Sequence, residues 1–364
     1  MSEIDVVVVG AGFTGLASAM ILSERGHSVC VLDTHPRPGM EASTHNSGVV
    51  HAGLYYPPAS LKAHLCLEGR DALYAFCERH DVPHHRTGKL VIADDAGREA
   101  ELEALALNAR ANGARAELLS GDAVRKREPA VDAPLALWSP DTGIVDASQL
   151  VLAFAMRAKA AGATVLLKTP VSRGVSDGEG FVVDTEHEQI RAAVVINAAG
   201  LFADDVSRAL GGEDFRVWAC RGDYAELTRS AAARYSMPIY PLPEKSGHGL
   251  GVHFTPTVSG TVLLGPTSRY QDSKTDYESD RPPLTAFFEA ARKLVPSLAL
   301  SDLRASSSGI RAKLHPPEET FADFMIRADA REPRLIHAAG IDSPGLTSSL
   351  AVGRMVADLA EARL

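Results

Sequence analysis

The sequence predicts an α/β protein in which a discontinuous, Rossmann-like domain is combined with a β-rich domain. Three observations support this prediction. Residues 6–32 read as strand, glycine turn, helix and strand, which is one βαβ unit. Residues 334–362 again read as a short strand, a turn and a helix, whereas residues 215–266 have a β-rich pattern. A length of 364 residues is sufficient for two domains with cores of ordinary size.

The N-terminal unit has the clearest pattern. Residues 6–9 form a continuous apolar run, as expected for a parallel strand that is buried on both faces. A glycine-containing turn at 10–15 precedes a helical pattern over 16–24, which ends near Gly26. A second short strand is predicted over 28–32.

The remaining elements follow with polar loops between them. Ser60 is predicted to cap a helix with a leucine-rich apolar side, and Asp146 or Ser148 to open another over 150–161. A Ser-Gly pair at 259–260 indicates a hairpin turn. Further helices are predicted at 98–119, 284–294 and 346–362, and strands at 89–93, 164–168, 181–186, 193–197 and 334–338.

Composition narrows the functional classes. The 37 Lys and Arg residues are outnumbered by 46 Asp and Glu residues, so nucleic acid or an anionic membrane is not expected as the main partner. The four cysteines include no C-x-x-C pair, which argues against a metal site and favours reduced thiols in a cytoplasmic protein. The apolar run at 4–22 has an acidic flank and is broken by glycines, so neither a signal peptide nor a transmembrane segment is expected. Peripheral attachment to a membrane is left open.

The strongest motif is G-x-G-x-x-G, formed by Gly10, Gly12 and Gly15 between a predicted strand and a predicted helix. These glycines permit a tight turn, close approach of a pyrophosphate and close packing of helix on strand. Asp33 closes the second strand, where an acid accepts hydrogen bonds from ribose hydroxyls and disfavours a 2′-phosphate. The motif predicts a dinucleotide and does not distinguish FAD from NAD.

Three later segments resemble flavin oxidoreductases of the D-amino-acid oxidase type, and the resemblance implies FAD. They are the polar loop at 41–48, the Asn-Ala-Ala-Gly sequence at 197–200 and the turn at 340–347 before the last helix. The N–H groups and dipole of that helix are suited to stabilising negative charge on a flavin. The further cofactor-binding candidates are Thr44, Asn46, Ser47, Gly48, Val171, Ala199, Gly200, Gly345, Leu346 and Thr347. We assign 1–83, 139–214 and 304–364 to an FAD-binding domain, and 84–138 and 215–303 to a substrate domain.

A narrower resemblance extends over nearly the whole chain. The sequence HNSGVVHAGLYY at 45–56 resembles the L-2-hydroxyglutarate dehydrogenase/oxidase family, as do SLKA, GKLV, TGIVD, GVHFT and GIR further along. The resemblance implies oxidation of an L-2-hydroxy acid, with 2-hydroxyglutarate favoured, by hydride transfer to FAD. A quinone, a protein carrier or oxygen would then accept the electrons. Oxidation of an amine or amino acid (sarcosine-like) or of glycerol 3-phosphate, and a non-enzymatic FAD-binding scaffold, remain as alternatives.

The substrate-binding candidates are charged or polar residues within these motifs. Arg311 follows a predicted strand, and an arginine fork binds a carboxylate in bidentate fashion. Lys313 shares its strand face by the period of two and is a candidate for a second carboxylate. Tyr55 and Tyr56 are candidates for bonding a substrate oxygen or walling the pocket.

The acid–base candidates are His51 and His253, because a neutral imidazole can take the hydroxyl proton of an alcohol near pH 7. His45 is a weaker candidate for a covalent tether to the flavin. Lys62 and Lys89 are interpreted as structural or solvated residues, although both lie in matching motifs.

Overall fold

The computed structural model describes residues 2–93, 97–243 and 251–364. In that part of the chain the strands are β1 (Ser2–Val9), β2 (Val29–Leu32), β3 (Val49–Val50), β4 (His84–His85), β5 (Lys89–Ile92), β6 (Glu117–Ser120), β7 (Leu135–Ser139), β8 (Gly143–Val145), β9 (Thr164–Leu166), β10 (Val171–Ser176), β11 (Phe181–Thr185), β12 (Gln189–Asn197), β13 (Trp218–Leu227), β14 (Ile239–Pro241), β15 (His253–Pro256), β16 (Val262–Gly265), β17 (Arg269–Gln271), β18 (Leu303–Lys313), β19 (Met325–Ala328) and β20 (Leu335–Ala339). The helices are α1 (Phe13–Glu24), α2 (Leu61–Arg79), α3 (Glu99–Ala111), α4 (Gly121–Arg127), α5 (Ala147–Ala160), α6 (Ala203–Ala209), α7 (Arg229–Ala232), α8 (Leu284–Ala291) and α9 (Gly345–Glu361).

The first sheet is built around β1, which pairs in parallel with β2 and β12. Its strand order is β10-β11-β12-β1-β2-β9, and β20 extends it by pairing with β12 and β19. The valines of β1 are buried on both faces, with Val6 and Val8 in the core formed with α1, α5 and α9, and Val7 in the opposite core with Phe181. The continuous apolar run in the sequence reflects this two-sided burial.

The second sheet is mainly antiparallel, with the order β17-β13-β16-β15-β14-β5-β7-β6 and with β18 paired to β13. The antiparallel β13–β18 pair runs from Trp218 opposite Lys313 to Leu227 opposite Leu303. Its own apolar core includes Phe254, Leu264 and Phe287. This sheet therefore has a core separate from that of the first sheet, as a β-rich domain requires.

The predicted domain segments can be compared with this arrangement. All strands of the first sheet fall within 1–83, 139–214 and 304–364. Strands of the second sheet fall within 84–138 and 215–303, with two exceptions. β7 ends at Ser139, one residue beyond the segment, and β18 begins at Leu303 and continues into the segment assigned to the first domain. Residues 94–96 and 244–250 of the second domain lie outside the described residues. The boundaries themselves remain predictions.

Most local predictions of secondary structure are confirmed. The Ser60 hydroxyl accepts a hydrogen bond from the Ala63 N–H, and the Asp146 side chain caps α5, so the choice between Asp146 and Ser148 falls on Asp146. β15 and β16 form the hairpin predicted at 259–260.

The helix predicted over 98–119 is wrong in its second half. α3 ends at Ala111, Gly113 follows with a φ of +83°, and the chain turns into β6. Glycine in the left-handed region just after a helix terminates it, and the Ala- and Leu-rich composition beyond this glycine gave no competing signal. In the described part of the chain, no helix has both the length and the apolar content needed to cross a bilayer.

Candidate active site

A cavity of about 1270 Å³ lies between the two sheets. Its walls come from the carboxyl ends of β1 and β2, the turn after β12, the N-terminus of α9 and the facing strands β13, β14, β15 and β18. Ligands of open α/β sheets bind at the carboxyl ends of the strands. The volume exceeds that of most small-molecule pockets and suits a dinucleotide together with a substrate.

The glycine turn closes one end of this cavity. Gly10 has a φ of +110°, and a Cβ on Gly15 would collide with the carbonyl oxygen of Gly10. A Cβ on Gly12, which lines the cavity, would lie 2.9 Å from the Ser43 hydroxyl oxygen. The turn is therefore open where a ligand would approach and tightly packed behind, which is the arrangement a pyrophosphate requires.

Asp33 is fixed by backbone groups of two loops. One carboxylate oxygen accepts a hydrogen bond from the Ala11 N–H at 2.6 Å, and the other accepts from the His35 N–H at 2.8 Å. Asp33 also lines the cavity. A carboxylate held in this way retains lone pairs for ribose hydroxyls, so the residues present fit the adenosine half of FAD.

The structure brings most of the predicted cofactor residues together. Those that line the cavity are Gly10, Gly12, Asp33, Asn46, Ser47, Gly48, Val171, Ala199, Gly200, Gly345 and Leu346. Gly15, Thr44 and Thr347 are not part of the wall. Thr44 donates a hydrogen bond to the Gly39 carbonyl, and the buried Thr347 hydroxyl accepts one from the His51 N–H at 2.9 Å. These two threonines hold wall segments in place, and their predicted direct contact with the cofactor remains a prediction.

Arg311 extends from β18 into the other end of the cavity. Both terminal nitrogens of its guanidinium lie 3.3–3.4 Å from the Thr267 carbonyl oxygen. Among the described residues, no carboxylate lies within ion-pairing distance of it. A Cβ on Gly222 would lie 2.9 Å from one of these nitrogens, so this glycine makes room for the guanidinium. Arg311 thus presents a cationic fork to the cavity.

Lys313 lies two residues further along β18 and has partners of its own. Its ammonium is 3.6 Å from an oxygen of Asp342 and 3.3 Å from Nε2 of His315. The same aspartate accepts a hydrogen bond of 2.7 Å from Lys62, which is buried with 6% exposure. Lys62 also lines the cavity, so its interpretation as a structural residue remains a prediction, whereas the solvated alternative does not fit its burial. Two cations share one carboxylate here, which leaves a net positive charge beside the cavity.

The two candidate histidines occupy different environments. His253 is buried and stacks on Tyr240, with ring centroids 3.5 Å apart and planes 8° apart. Nε2 of His51 lies 3.2 Å from the Ser343 hydroxyl oxygen, and its buried Nδ1 has no partner among the described residues. Burial, together with the charge of Lys89, lowers the pKa of His51 to about 3. His51 is thus a neutral imidazole at any pH near neutrality.

The two tyrosines have different partners. The hydroxyl oxygen of Tyr56 lies 3.4 Å from that of Ser343, which also contacts His51. The hydroxyl of Tyr55 accepts a hydrogen bond of 3.2 Å from Lys89. Burial raises the pKa of both phenols well above their usual value, so both are protonated near neutral pH.

The sequence leaves Lys89 as a structural or solvated lysine, and the solvated alternative is wrong. It is fully buried at the start of β5, behind Tyr55 and Tyr240. The signal that distinguishes it is a single charged residue in a strand that is otherwise apolar, Lys-Leu-Val-Ile. Sequence reasoning also missed Tyr240 and Ser343, for which the sequence offers no comparable signal.

Among the described residues, Glu213, Asp329 and His337 lie close enough together to hold a metal ion. Each already has a partner, since Glu213 pairs with Arg327 and an Asp329 oxygen lies 2.7 Å from Nε2 of His337. None of the three lines the cavity. The sequence predicts no metal site, and this remains a prediction.

The comparisons with known proteins define the class. Residues 5–359 match the family described as FAD dependent oxidoreductase, and the chain belongs to that family. It resembles the solved FAD-bound L-α-glycerophosphate oxidase of Mycoplasma pneumoniae, at 25% identity and a TM-score of 0.91 over 99% of this chain and 95% of that one. Glycine oxidase of Geobacillus kaustophilus has the same fold, at 24% identity and a TM-score of 0.86 over 100% and 96%. The protein is an FAD-dependent oxidoreductase, as the sequence predicts.

The names of the curated relatives are more specific than the description of the family. The chain is 34% identical to the mitochondrial L-2-hydroxyglutarate dehydrogenase of Arabidopsis thaliana, covering 98% of this chain and 83% of that protein. It is 31% identical to the human enzyme of that name over 100% and 89%, and 30% identical to the L-2-hydroxyglutarate dehydrogenase of Salmonella houtenae over 98% and 93%. The resemblance found in the sequence is confirmed.

Proposed function

We propose that this protein oxidises L-2-hydroxyglutarate to 2-oxoglutarate. The observation that carries the proposal is the Arg311 guanidinium, which faces the cavity without a carboxylate partner among the described residues. A buried or half-buried cation that lacks a counter-charge is stabilised by binding an anion. The names of the curated relatives supply the particular hydroxy acid.

Arg311 is proposed to bind the C1 carboxylate and fix the position of C2. A bidentate arginine–carboxylate pair restricts rotation as well as distance, which lowers the entropic part of the barrier. Bound FAD supplies a two-electron oxidant that can take hydride from C2. The proposed cofactor contacts of the glycine turn, the 46–48 loop and the α9 N-terminus would hold it in the cavity.

The net positive charge around Lys313 and Lys62 is proposed to bind the second carboxylate. One of the two ammonium charges is balanced by Asp342, and the other is available to a ligand. A monocarboxylic hydroxy acid would leave this charge without a partner, so a dicarboxylate is favoured over it.

His253 and His51 are proposed to take the hydroxyl proton. Since the pKa of His51 is lowered to about 3, it is always available as an acceptor but is a weak base. His253 is the stronger candidate for this reason. The electron acceptor that reoxidises the protein is proposed to be a quinone, a carrier or oxygen, and the location to be cytoplasmic.

The test is anaerobic reduction of the purified yellow holoprotein by a panel of substrates. L-2-Hydroxyglutarate is expected to bleach the flavin absorbance faster than D-2-hydroxyglutarate, L-lactate, sarcosine, glycine or glycerol 3-phosphate. Faster bleaching by an amine, an amino acid or glycerol 3-phosphate would replace the proposal with the corresponding alternative. Purification without any flavin would contradict the proposed site itself.

A further inference from the structure

Lys89 is a buried cation with few partners. Its side chain has no exposure, and its ammonium donates a hydrogen bond of 3.2 Å to the Tyr55 hydroxyl. The ring centroids of Tyr55 and Tyr240 lie 4.6 and 4.4 Å from the same nitrogen. Among the described residues, no carboxylate is within ion-pairing distance of it. Cation–π contacts and one hydrogen bond replace only part of the lost hydration.

This burial makes the charge of Lys89 easy to lose. Desolvation lowers the pKa of the ammonium from 10.5 to about 7, so the lysine exchanges its proton near neutral pH. Protein folds do not need such a group for stability, because an apolar side chain of similar volume would cost less to bury. A lysine in this state is characteristic of functional sites.

Tyr55 connects Lys89 to the cavity. The phenol lines the cavity, whereas Lys89 lies behind it. When the Tyr55 oxygen accepts the bond from the ammonium, its own hydrogen must point away from Lys89, and no described residue accepts it. The hydrogen is therefore directed toward the cavity, where a substrate would lie.

We propose that Lys89 is a positioning residue that decides whether Tyr55 offers the substrate a proton or a lone pair. With Lys89 charged, Tyr55 donates into the cavity, to the carbonyl oxygen of a 2-oxo acid. With Lys89 neutral, its lone pair accepts the Tyr55 hydrogen, and the phenol oxygen can accept from the hydroxyl of a 2-hydroxy acid.

The oxidative step takes place in the second state, in which Lys89 is neutral. This inference rests on the proposed function for the oxidation at C2, for which bound FAD would supply the two-electron oxidant. It replaces the histidines with the Tyr55–Lys89 pair as the acceptor of the hydroxyl proton. As the hydride leaves, the substrate hydroxyl proton passes to the Tyr55 oxygen, and the Tyr55 proton passes to Nζ of Lys89. The C–H and O–H bonds of the substrate break, a carbonyl forms, and the lysine ends as an ammonium. The same charge change converts Tyr55 into a donor to the product carbonyl.

The other titratable groups around Lys89 do not supply this switch. Cys66 has its pKa raised to about 12 and Tyr240 has its pKa raised further, so both are neutral near pH 7. His51 has its pKa lowered to about 3 and is also neutral. His253, which stacks on Tyr240, is a further titratable group, and variants distinguish it from Lys89.

Two measurements on the holoprotein test the proposal. The first is the rate of anaerobic flavin reduction by saturating L-2-hydroxyglutarate between about pH 5.5 and 9. The second is the Kd of 2-oxoglutarate for the oxidised holoprotein, followed by the change in the visible flavin spectrum. In the wild type the reduction rate should rise with pH, by about tenfold per pH unit below the midpoint. The 2-oxoglutarate complex should weaken across the same interval.

Lys89→Met should remove both pH dependences, and Tyr55→Phe should do the same while keeping the lysine. Lys159→Met, which removes an exposed lysine of α5, should retain both. If Lys89 had only a structural role, its replacement would change stability. It would not remove both the rise of the reduction rate and the weakening of 2-oxoglutarate binding with increasing pH. If Lys89→Met does not retain FAD, Tyr55→Phe decides the matter.

The results separate the two proposals. If both Lys89→Met and Tyr55→Phe keep the wild-type midpoints, the switch is wrong, and loss of the midpoint only in His253→Asn would assign it to that histidine. If the wild type is not reduced by L-2-hydroxyglutarate at any pH but is reduced by another substrate, the proposed function fails first. The two measurements are then repeated with the substrate that does reduce the flavin and with its oxidation product, and unchanged pH dependences in Lys89→Met and Tyr55→Phe would again contradict the switch.

Discussion

Replacing Arg311 by lysine is expected to weaken catalysis while leaving FAD binding intact. The substitution keeps a positive charge on β18 but replaces the planar fork with a single ammonium. In the free protein both terminal nitrogens lie 3.3–3.4 Å from the Thr267 carbonyl oxygen, and one lies 3.8 Å from the Cys220 sulfur. These contacts are long, so the substitution loses little interaction within the protein. Loss of one charge-assisted bond to the substrate costs about 1.5–3 kcal/mol, or roughly ten- to hundredfold in kcat/KM.

The assay compares kcat/KM for L-2-hydroxyglutarate with an artificial electron acceptor, together with the visible spectrum of each purified protein. Arg292→Lys is the matched control, because it makes the same change at an exposed arginine after α8. The control should have wild-type activity, and both variants should carry full flavin. An unchanged kcat/KM in Arg311→Lys would remove this residue from the site and, with it, the main support for a carboxylate substrate.

Three further predictions follow from the geometry of the cavity. Gly12→Val should abolish FAD retention, because its Cβ would lie 2.9 Å from the Ser43 hydroxyl oxygen and its methyl groups would occupy the space of the pyrophosphate. Full flavin occupancy in this variant would contradict the proposed binding of the pyrophosphate by the glycine turn. His253→Asn should slow flavin reduction by roughly 10²–10⁴-fold if His253 is the base. His51→Asn should not change how the reduction rate falls with decreasing pH near neutrality, because a group with a pKa of about 3 stays neutral there. Lys89→Met should raise the Tm at pH 7, because lowering the lysine pKa from 10.5 to about 7 opposes folding by up to about 5 kcal/mol. The folded state binds this proton more weakly than the unfolded state, so the stability gain of Lys89→Met should grow as pH falls from 10.5 to about 7 and then level off.

The parts of the fold that the sequence predicts are those determined locally. Continuous apolar runs identify strands buried on both faces, and the Ser60 and Asp146 caps act within three residues. The glycine turn is equally local, because its constraints are the φ of Gly10 and the contact of Gly15 with it. The error over 98–119 is also local, since the glycine at 113 outweighs the helical composition after it.

The candidate site is only partly accessible to such reasoning. Motifs identify residue types with suitable chemistry, and most of these do line one cavity. The hydrogen-bond partners that hold these residues in place come from far along the chain. Lys62 contacts Asp342, which lies 280 residues further along the chain, and His51 contacts Ser343, which lies 292 residues further along. No periodicity in the sequence encodes such pairs, because they depend on how the two sheets and α9 pack together.

The charges at the β18 end of the cavity explain how an acidic protein can bind an acidic substrate. The whole chain has a formal charge of −9, yet Arg311 lacks a carboxylate partner among the described residues, and Lys62 and Lys313 share Asp342. These four side chains sum to two positive charges, which matches the two carboxylates of 2-hydroxyglutarate. Attraction within a partly buried cavity is screened less than attraction at the surface, so this local surplus outweighs the distant negative charge. We therefore propose that substrate selection by charge depends on these four residues and not on the overall acidity of the protein.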